Sequence, residues 1–279
     1  MALIELLKAV VQGILQGITE WLPISSTGHI LLLDAVWKMD VSADFFDVFK
    51  VVIQLGSIMA VVVLYFHKLN PFSPRKTAAE KKSTWTLWAK VLVASVPAAI
   101  AGFLLDDIVD EKLSTPLVIS IALVVYGIAF IVMEMRPHKP RITELSDIRY
   151  RDALAIGAFQ MLALIPGTSR SGSTIIGGLL CGMSRACASQ FTFFLAIPVM
   201  AGASGLKLVK FLAGGGVFTV GEIGALLVGC IVAFVVSILA IRFLMDYVKK
   251  HTFTAFGWYR IALGIVVLGV WALQTFVLV

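Results

Sequence analysis

Two short polar stretches, 144 residues apart, interrupt a chain that is otherwise apolar enough for a membrane, and they limit its fold more than any other feature. The first runs from Gln16 through Glu20, Pro23, Ser25, Ser26, Thr27 and Gly28 to His29. The second runs from Gln160 through Pro166, Gly167, Thr168, Ser169, Arg170, Ser171, Gly172 and Ser173 to Thr174. A shift of 144 residues lays Ala9 on Ala153, Gly13 on Gly157, Gln16 on Gln160, Ser25 on Ser169 and Gly28 on Gly172, then Phe49 on Phe193 and Leu64 on Leu208. Carboxylate, imidazole, guanidinium and clustered hydroxyl groups are costly in hydrocarbon, so their default reading inside a membrane is a functional site. The repeat implies two half-sites.

The membrane reading rests on composition. The chain is 59% hydrophobic and 14% charged, with a mean hydropathy of +0.95, well beyond a soluble domain. Apolar runs such as 117–133 and 261–279 reach spanning length. The first residues carry neither a basic stretch nor a small-residue cleavage site, so no cleavable signal peptide is expected. The net charge of +6 is no nucleic-acid signature, because the Lys and Arg residues fall mostly in loops between spans. Cys181, Cys187 and Cys230 sit in apolar contexts without metal-ligand spacing and read as small buried hydrophobes.

Loop charge sets the expected topology. Segments 67–90, 134–152 and 242–260 are basic, the last through Arg242, Lys249, Lys250 and Arg260, and the first includes Lys90. Segment 106–116 is acidic and 207–222 is rich in glycine. The positive-inside rule places the three basic loops in the cytoplasm. Six spans follow, at roughly 47–66, 90–105, 117–133, 190–206, 223–243 and 258–278. Three spans per half invert the second half relative to the first, as in many transporters. The segments 1–40 and 153–187 then have to return to their own side, and each is broken mid-way by Pro, Gly and hydroxyl residues. The expectation is an all-α integral membrane protein with an inverted-topology repeat, six spans and two re-entrant helix-loop-helix hairpins. It forms a single membrane domain over 1–279, with repeats of about 1–135 and about 145–279. Non-helical backbone at membrane depth needs protein or a watery cavity around it, so the two breaks should meet.

The first hairpin carries Gln12, Gln16 and Glu20 four residues apart, one polar stripe on a helix. Pro23 ends that helix. Ser25, Ser26 and Thr27 can cap the returning helix, Gly28 permits close backbone approach, and His29 enters its first turn. The second hairpin repeats the plan with Gln160, a Pro166-Gly167 break, and Thr168, Ser169, Arg170, Ser171, Gly172 and Ser173. Free N–H groups at a helix start, a positive dipole end, hydroxyls and an arginine make an anion site, best matched by phosphate. No Walker-type lysine motif is present.

The stretch with Gln16, Glu20 and Pro23-Ile24-Ser25-Ser26-Thr27-Gly28-His29 resembles the first signature of the bacitracin-resistance type of undecaprenyl-diphosphate phosphatase. Pro166-Gly167-Thr168-Ser169-Arg170-Ser171-Gly172 resembles its second, and Val52-Ile53-Gln54-Leu55-Gly56-Ser57 a third stretch. The resemblance implies hydrolysis of a C55 polyprenyl diphosphate to the monophosphate at the outer face of the bacterial cytoplasmic membrane, recycling the cell-wall lipid carrier. It also implies a divalent cation, Mg²⁺ or Ca²⁺. The family accepts Glu or Gln where this chain has Gln16, so a metal would lean on Glu20 and on the substrate's own phosphates.

On that basis Glu20, Ser26, His29 and Arg170 are the catalytic candidates. Gln16, Ser25, Thr27, Gly28, Gln54, Thr168, Ser169, Ser171, Gly172 and Ser173 are the substrate-binding candidates. Arg170 and the loop N–H groups would clamp the diphosphate, and Ser26 would attack the terminal phosphorus after activation by Glu20 or His29. Direct attack by His29, or by water, stays open. Structural alternatives stand beside these roles: Glu20 as a buried acid paired with Arg170 or His29, His29 as a capping residue, the glutamines as interhelical hydrogen-bond partners. A second functional class, a flippase or transporter of a polyprenyl phosphate or other anion, uses the same broken-helix anatomy. The expected partners are the lipid diphosphate and the bilayer, with a homodimer as the expected assembly.

Overall fold

The computed structural model describes residues 3–136 and 139–276, apart from the side chains of 106–108, 110 and 276. Its α-helices, in chain order, are α1 Leu3–Thr19, α2 Ser26–Val36, α3 Ala43–Leu64, α4 Phe66–Leu69, α5 Ala78–Ile108, α6 Pro116–Glu134, α7 Tyr150–Met161, α8 Arg170–Leu180, α9 Arg185–Ala213, α10 Val220–Lys250 and α11 Thr254–Phe276. Among the described residues there is no strand, only an isolated bridge between Ile142 and Met183. Six helices, α3, α5, α6, α9, α10 and α11, are long and apolar enough to cross a bilayer. The protein is an all-α multi-pass membrane protein.

The six expected spans fall on these six helices, but three helices run further. Helix α5 begins at Ala78, well before the expected start at about 90, because Thr77 and Glu80 form a capping box. That box satisfies the orphan amides of a helix that leaves the apolar layer and continues into charged sequence. Thr219 and Glu222 do the same for α10. Lys90, read with the loop charges, is correspondingly corrected: it is buried within α5, and its Nζ donates to Ser146 O at 3.2 Å. Arg260, assigned to the same class, is corrected more sharply, since it is wholly buried in α11.

Helix pairing follows the sequence offset. Helix α1 packs on α10, and α7 packs on α5. A shift of 144 residues carries α1 onto α7 and α5 onto α10, so each pairing reproduces the other. Close crossings use small residues, as membrane helices do when van der Waals contact drives association. A methyl on Gly13 would lie 2.8 Å from Gly229 O, and one on Gly127 would lie 2.7 Å from Gly257 O.

Each broken hairpin is tied at its own base. Lys8 Nζ donates to Lys38 O at 2.6 Å and Asp40 N donates to Glu5 Oε2 at 3.0 Å, joining the start of α1 to the end of α2. Arg141 pairs with Asp152 at 2.7 Å, and Arg141 N donates to Gly182 O at 2.9 Å, joining the start of α7 to the end of α8. The two bases lie at opposite ends of α10: a Cβ placed on Gly224, in its first turns, would lie 3.9 Å from Leu6, whereas past its last turn Phe253 N donates to Glu134, which holds Arg185. The tips meet between them, where Ser171 Oγ donates to Leu22 O at 3.3 Å. Lys68 on Gln190, Lys90 on Ser146 and Arg185 on Glu134 gather the basic segments at one end.

Candidate active site

The two breaks are shaped alike. After α1, Ile24 N donates to Leu22 O at 2.8 Å, and Pro23, with no N–H, cannot prolong the helix. The residue before each returning helix then takes a positive φ, 71° at Ser25 and 70° at Ser169. Such backbone costs about 1–3 kcal/mol in a residue other than glycine and persists where surroundings impose it, often at functional sites. At Ser169 the support is local: its Oγ accepts from Gly172 N at 3.2 Å and its carbonyl from Ser173 N at 2.9 Å. At Ser25 the carbonyl accepts from His29 Nδ1 at 2.7 Å. Gly167, at φ 96°, has no room for a side chain, because a Cβ would lie 2.6 Å from Ile119 O.

Between the tips lies a cleft of about 210 Å³ lined by Glu20, Ser26, Thr27, Gln54, Ser169 and Arg170, with Val199 and Met200 on an apolar wall. Glu20 is shared between the halves. Its Oε2 accepts from Gln16 Nε2 at 2.7 Å, and its Oε1 accepts from Arg170 Nη2 at 2.9 Å. Arg170 Nη1 donates to Thr192 O at 3.1 Å, and its guanidinium lies 5.9 Å from the Trp21 ring. Trp21 is itself wedged edge-on against Phe193. The ion pair is only 12% and 8% exposed on its two sides. Desolvation of such a pair offsets much of its attraction, so it is weak evidence for a purely stabilising role. Arg170 Nε and Gln16 Oε1 are buried without a hydrogen-bond partner.

The sequence candidates therefore divide by position. Glu20, Ser26, Thr27, Gln54, Ser169 and Arg170 line the cleft, and Gly167 lines it too. Gln16 stands behind Glu20. Ser171 and Ser173 spend their hydroxyls inside, on Leu22 O and on the Tyr126 hydroxyl at 3.2 Å. Thr168 Oγ1 donates to Leu162 O and Ile165 O, both at 2.9 Å, within its own loop. Gly172 is buried against Ser169, and Gly28 against Leu123 and Leu263. Ser25 Oγ is buried and unpaired, so Ser25 starts α2 without capping it through its side chain.

His29 lies outside the residues that line the cleft. Its Nδ1 faces a carbonyl and so carries the proton, which leaves Nε2 of the neutral ring to accept from the Tyr259 hydroxyl at 2.7 Å. The two rings stack with centroids 5.6 Å apart. The geometry of a capping and bracing residue is thus present at His29.

Arg260 escaped the sequence reading. Its Nη1 donates to Pro23 O at 3.1 Å, and its Nη2 donates to Gly167 O at 2.8 Å and Thr168 O at 2.9 Å, so one side chain holds both breaks. It was counted with loop charges because it sits at the edge of the last apolar run, six residues into α11. The available signal was its setting in Trp258-Tyr259-Arg260-Ile261-Ala262-Leu263, where a lone guanidinium within an apolar helix calls for a functional reading. Thr192 and Tyr259 were missed because each acts only through a residue distant in sequence.

Among the described residues no group of three or more His, Cys, Asp or Glu side chains is placed to hold a metal ion. Glu20 is the one carboxylate among the described residues that line the cleft. A carboxylate is a hard-oxygen donor of the kind that Mg²⁺ and Ca²⁺ accept alongside phosphate oxygens.

The family model described as bacitracin resistance protein BacA matches residues 9–266. An undecaprenyl-diphosphatase of Enterococcus faecalis is 60% identical over 269 residues, covering 96% of this chain and 98% of that protein. An undecaprenyl-diphosphatase of Lactiplantibacillus plantarum is 56% identical, covering 97% of this chain and 99% of that protein. One of Streptococcus sanguinis is 54% identical, covering 96% of each. The chain belongs to the bacitracin resistance protein BacA family.

Proposed function

We propose that this protein hydrolyses undecaprenyl diphosphate to undecaprenyl phosphate and inorganic phosphate, returning the cell-wall lipid carrier to use and conferring bacitracin resistance. One observation carries the reading: a buried Glu20–Arg170 pair bridges two helix breaks at a cleft that also exposes Ser26. The relatives' shared activity names the substrate.

The terminal phosphate binds Arg170 and the free amides at the starts of α2 and α8, where the helix dipoles favour negative charge. Arg170 is engaged by Glu20 before substrate arrives. A phosphate that takes over Arg170 releases Glu20 Oε1 for use as a base, which couples binding to activation. Ser26 Oγ attacks the terminal phosphorus, its proton passes to Glu20, and the bond to the bridging oxygen breaks, leaving polyprenyl monophosphate. Water then attacks the phosphoserine, releasing phosphate and restoring Ser26. Ser26 is favoured over His29 because Ser26 lines the cleft and His29 is spent on Ser25 O and Tyr259. A divalent cation held by Glu20 and the substrate's own phosphate oxygens would neutralise developing phosphate charge.

The gathered basic segments support a cytoplasmic position for their end of the bundle by the positive-inside rule. The two hairpins are then re-entrant from opposite sides, related by an inverted repeat, and the cleft serves the extracytoplasmic side. A transporter of polyprenyl phosphate would need the same breaks but no nucleophile. Detergent-solubilised protein, with no gradient across it, separates the two. Stoichiometric phosphate release from a polyprenyl diphosphate supports the phosphatase; no release under any divalent cation would shift the function to transport.

A further inference from the structure

Arg260 differs from every other cation near the cleft. It is completely buried, its three hydrogen bonds all go to neutral carbonyls, and among the described residues it forms no salt bridge. The remaining contact is the Tyr126 ring, 5.5 Å from its Cζ. A buried cation without a counter-charge is expensive unless the structure uses it. The three carbonyls belong to the turns that precede α2 and α8, so the guanidinium lies behind the cleft and against the backbone of both breaks.

The peptide unit makes that grip directional. In a planar trans peptide the C=O and N–H point to opposite sides, and among the described residues there are no cis bonds. A carbonyl turned back toward Arg260 therefore sends its partner amide away from it. For the Pro23 carbonyl that amide is Ile24 N–H, already bonded to Leu22 O at 2.8 Å; for Gly167 it is Thr168 N–H, bonded to Ile165 O at 3.2 Å. For Thr168 it is Ser169 N–H, which donates to no backbone acceptor among the described residues. Ser169 lines the cleft. The next two amides, of Arg170 and Ser171, open α8 and have no partner within the helix.

We infer that Arg260 is a positioning residue of the phosphate site: by holding the Thr168, Gly167 and Pro23 carbonyls from behind, its guanidinium aims the Ser169 amide and the opening amides of α8 at the bound phosphate. The fixed fork suits this task, because Nη1 reaches the first break and Nη2 the second, two separated donor nitrogens that one ammonium does not offer. Its buried charge also leaves the site with a standing positive potential, since Glu20 and Arg170 neutralise each other. This role rests on the phosphate reading of the cleft.

The test uses the full-length chain purified in detergent, with R260K and R260Q. Lysine keeps the charge but releases at least one carbonyl; glutamine keeps two donors but removes the charge. For R260K the expected result is a fall in kcat on the order of a hundredfold, the loss typical of a misplaced anion-hole donor. The KM for polyprenyl diphosphate should rise as well, because the misaimed amides also hold the bound phosphate, and the melting temperature without ligand should stay near wild type. A kcat within about threefold of wild type would overturn the inference, as would failure of both variants to fold, which would assign Arg260 to bundle assembly alone. Protection of the protein against heat by inorganic diphosphate separates this inference from the phosphatase reading. Wild-type protein that is protected but releases no phosphate would end that reading, and R260K must still lose protection. Wild-type protein with neither protection nor turnover would overturn both.

Discussion

Replacing Arg170 with lysine keeps the charge and nearly the length while removing the geometry. Arg170 serves two acceptors at once, Glu20 Oε1 at 2.9 Å and Thr192 O at 3.1 Å, and its Cζ lies over the Trp21 ring. One ammonium centre can follow Glu20 or reach Thr192, but it cannot reproduce both vectors. The buried Thr192 carbonyl would lose its charged donor, a cost of about 1–3 kcal/mol in stability. The larger effect falls on the transition state, where charge spreads over the phosphoryl oxygens and a bidentate donor holds two of them. Losing one preorganised donor costs about 2.7–4 kcal/mol, or roughly a hundredfold to a thousandfold in kcat. Arg170→Ala should go further, because breaking a buried pair by removing one partner costs about 3–5 kcal/mol and leaves Glu20 uncompensated. The assay is phosphate release per folded molecule in detergent, with the folded fraction measured on the same sample. Arg170→Lys turnover within about threefold of wild type would refute the argument and reduce Arg170 to a bulk positive charge.

Glu20→Gln keeps size and hydrogen bonding but removes the charge that pairs with Arg170, and kcat should fall by about a hundredfold or more as the base is lost. Wild-type rates would return Glu20 to a structural role. Gln16→Glu sets a second carboxylate against Glu20 at 2.7 Å contact; activity should drop with no gain in divalent-cation affinity, and half-activation at lower cation concentration would instead show that the two carboxylates share a metal. Gly167→Ala forces a side chain onto φ 96° with its Cβ 2.6 Å from Ile119 O. It should lower the melting temperature and cut turnover at least about tenfold, by backbone strain and overpacking of about 1–3 kcal/mol each. Gly202→Ala, where a Cβ meets nothing within 4 Å, should match wild type in thermal stability, and an equal loss there would sink the steric explanation.

What could be read from the sequence was whatever depends on local pattern. Apolar runs gave the six helices long enough to cross a bilayer, and the Pro, Gly and hydroxyl residues marked the breaks between α1 and α2 and between α7 and α8, because proline interrupts a helix locally. The offset that pairs Ser25 with Ser169 reappears as two matched positive φ angles. Helix ends beyond the apolar layer were less legible, since Thr77 and Glu80 extend α5 through a cap that hydropathy does not register. The candidate residues were found as a set, but their layering was not. Which hydroxyl faces the cleft and which is spent on a neighbour depends on partners far along the chain: Leu22 for Ser171, Tyr126 for Ser173 and Tyr259 for His29. Arg260 was misplaced for the same reason. Charge near a span end looks identical whether it snorkels to water or turns inward to carbonyls more than ninety residues away.

The proposed chemistry at the meeting point of the two breaks is tested most directly by trapping the enzyme during turnover. Polyprenyl diphosphate labelled in its terminal phosphate is mixed with the detergent-purified chain, quenched in acid, and the label mapped by peptide. The account predicts an acid-stable phosphoenzyme on Ser26, formed at the rate of monophosphate appearance and absent in Arg170→Ala. An acid-labile label on His29, or full single-turnover phosphate release by Ser26→Ala, would contradict it.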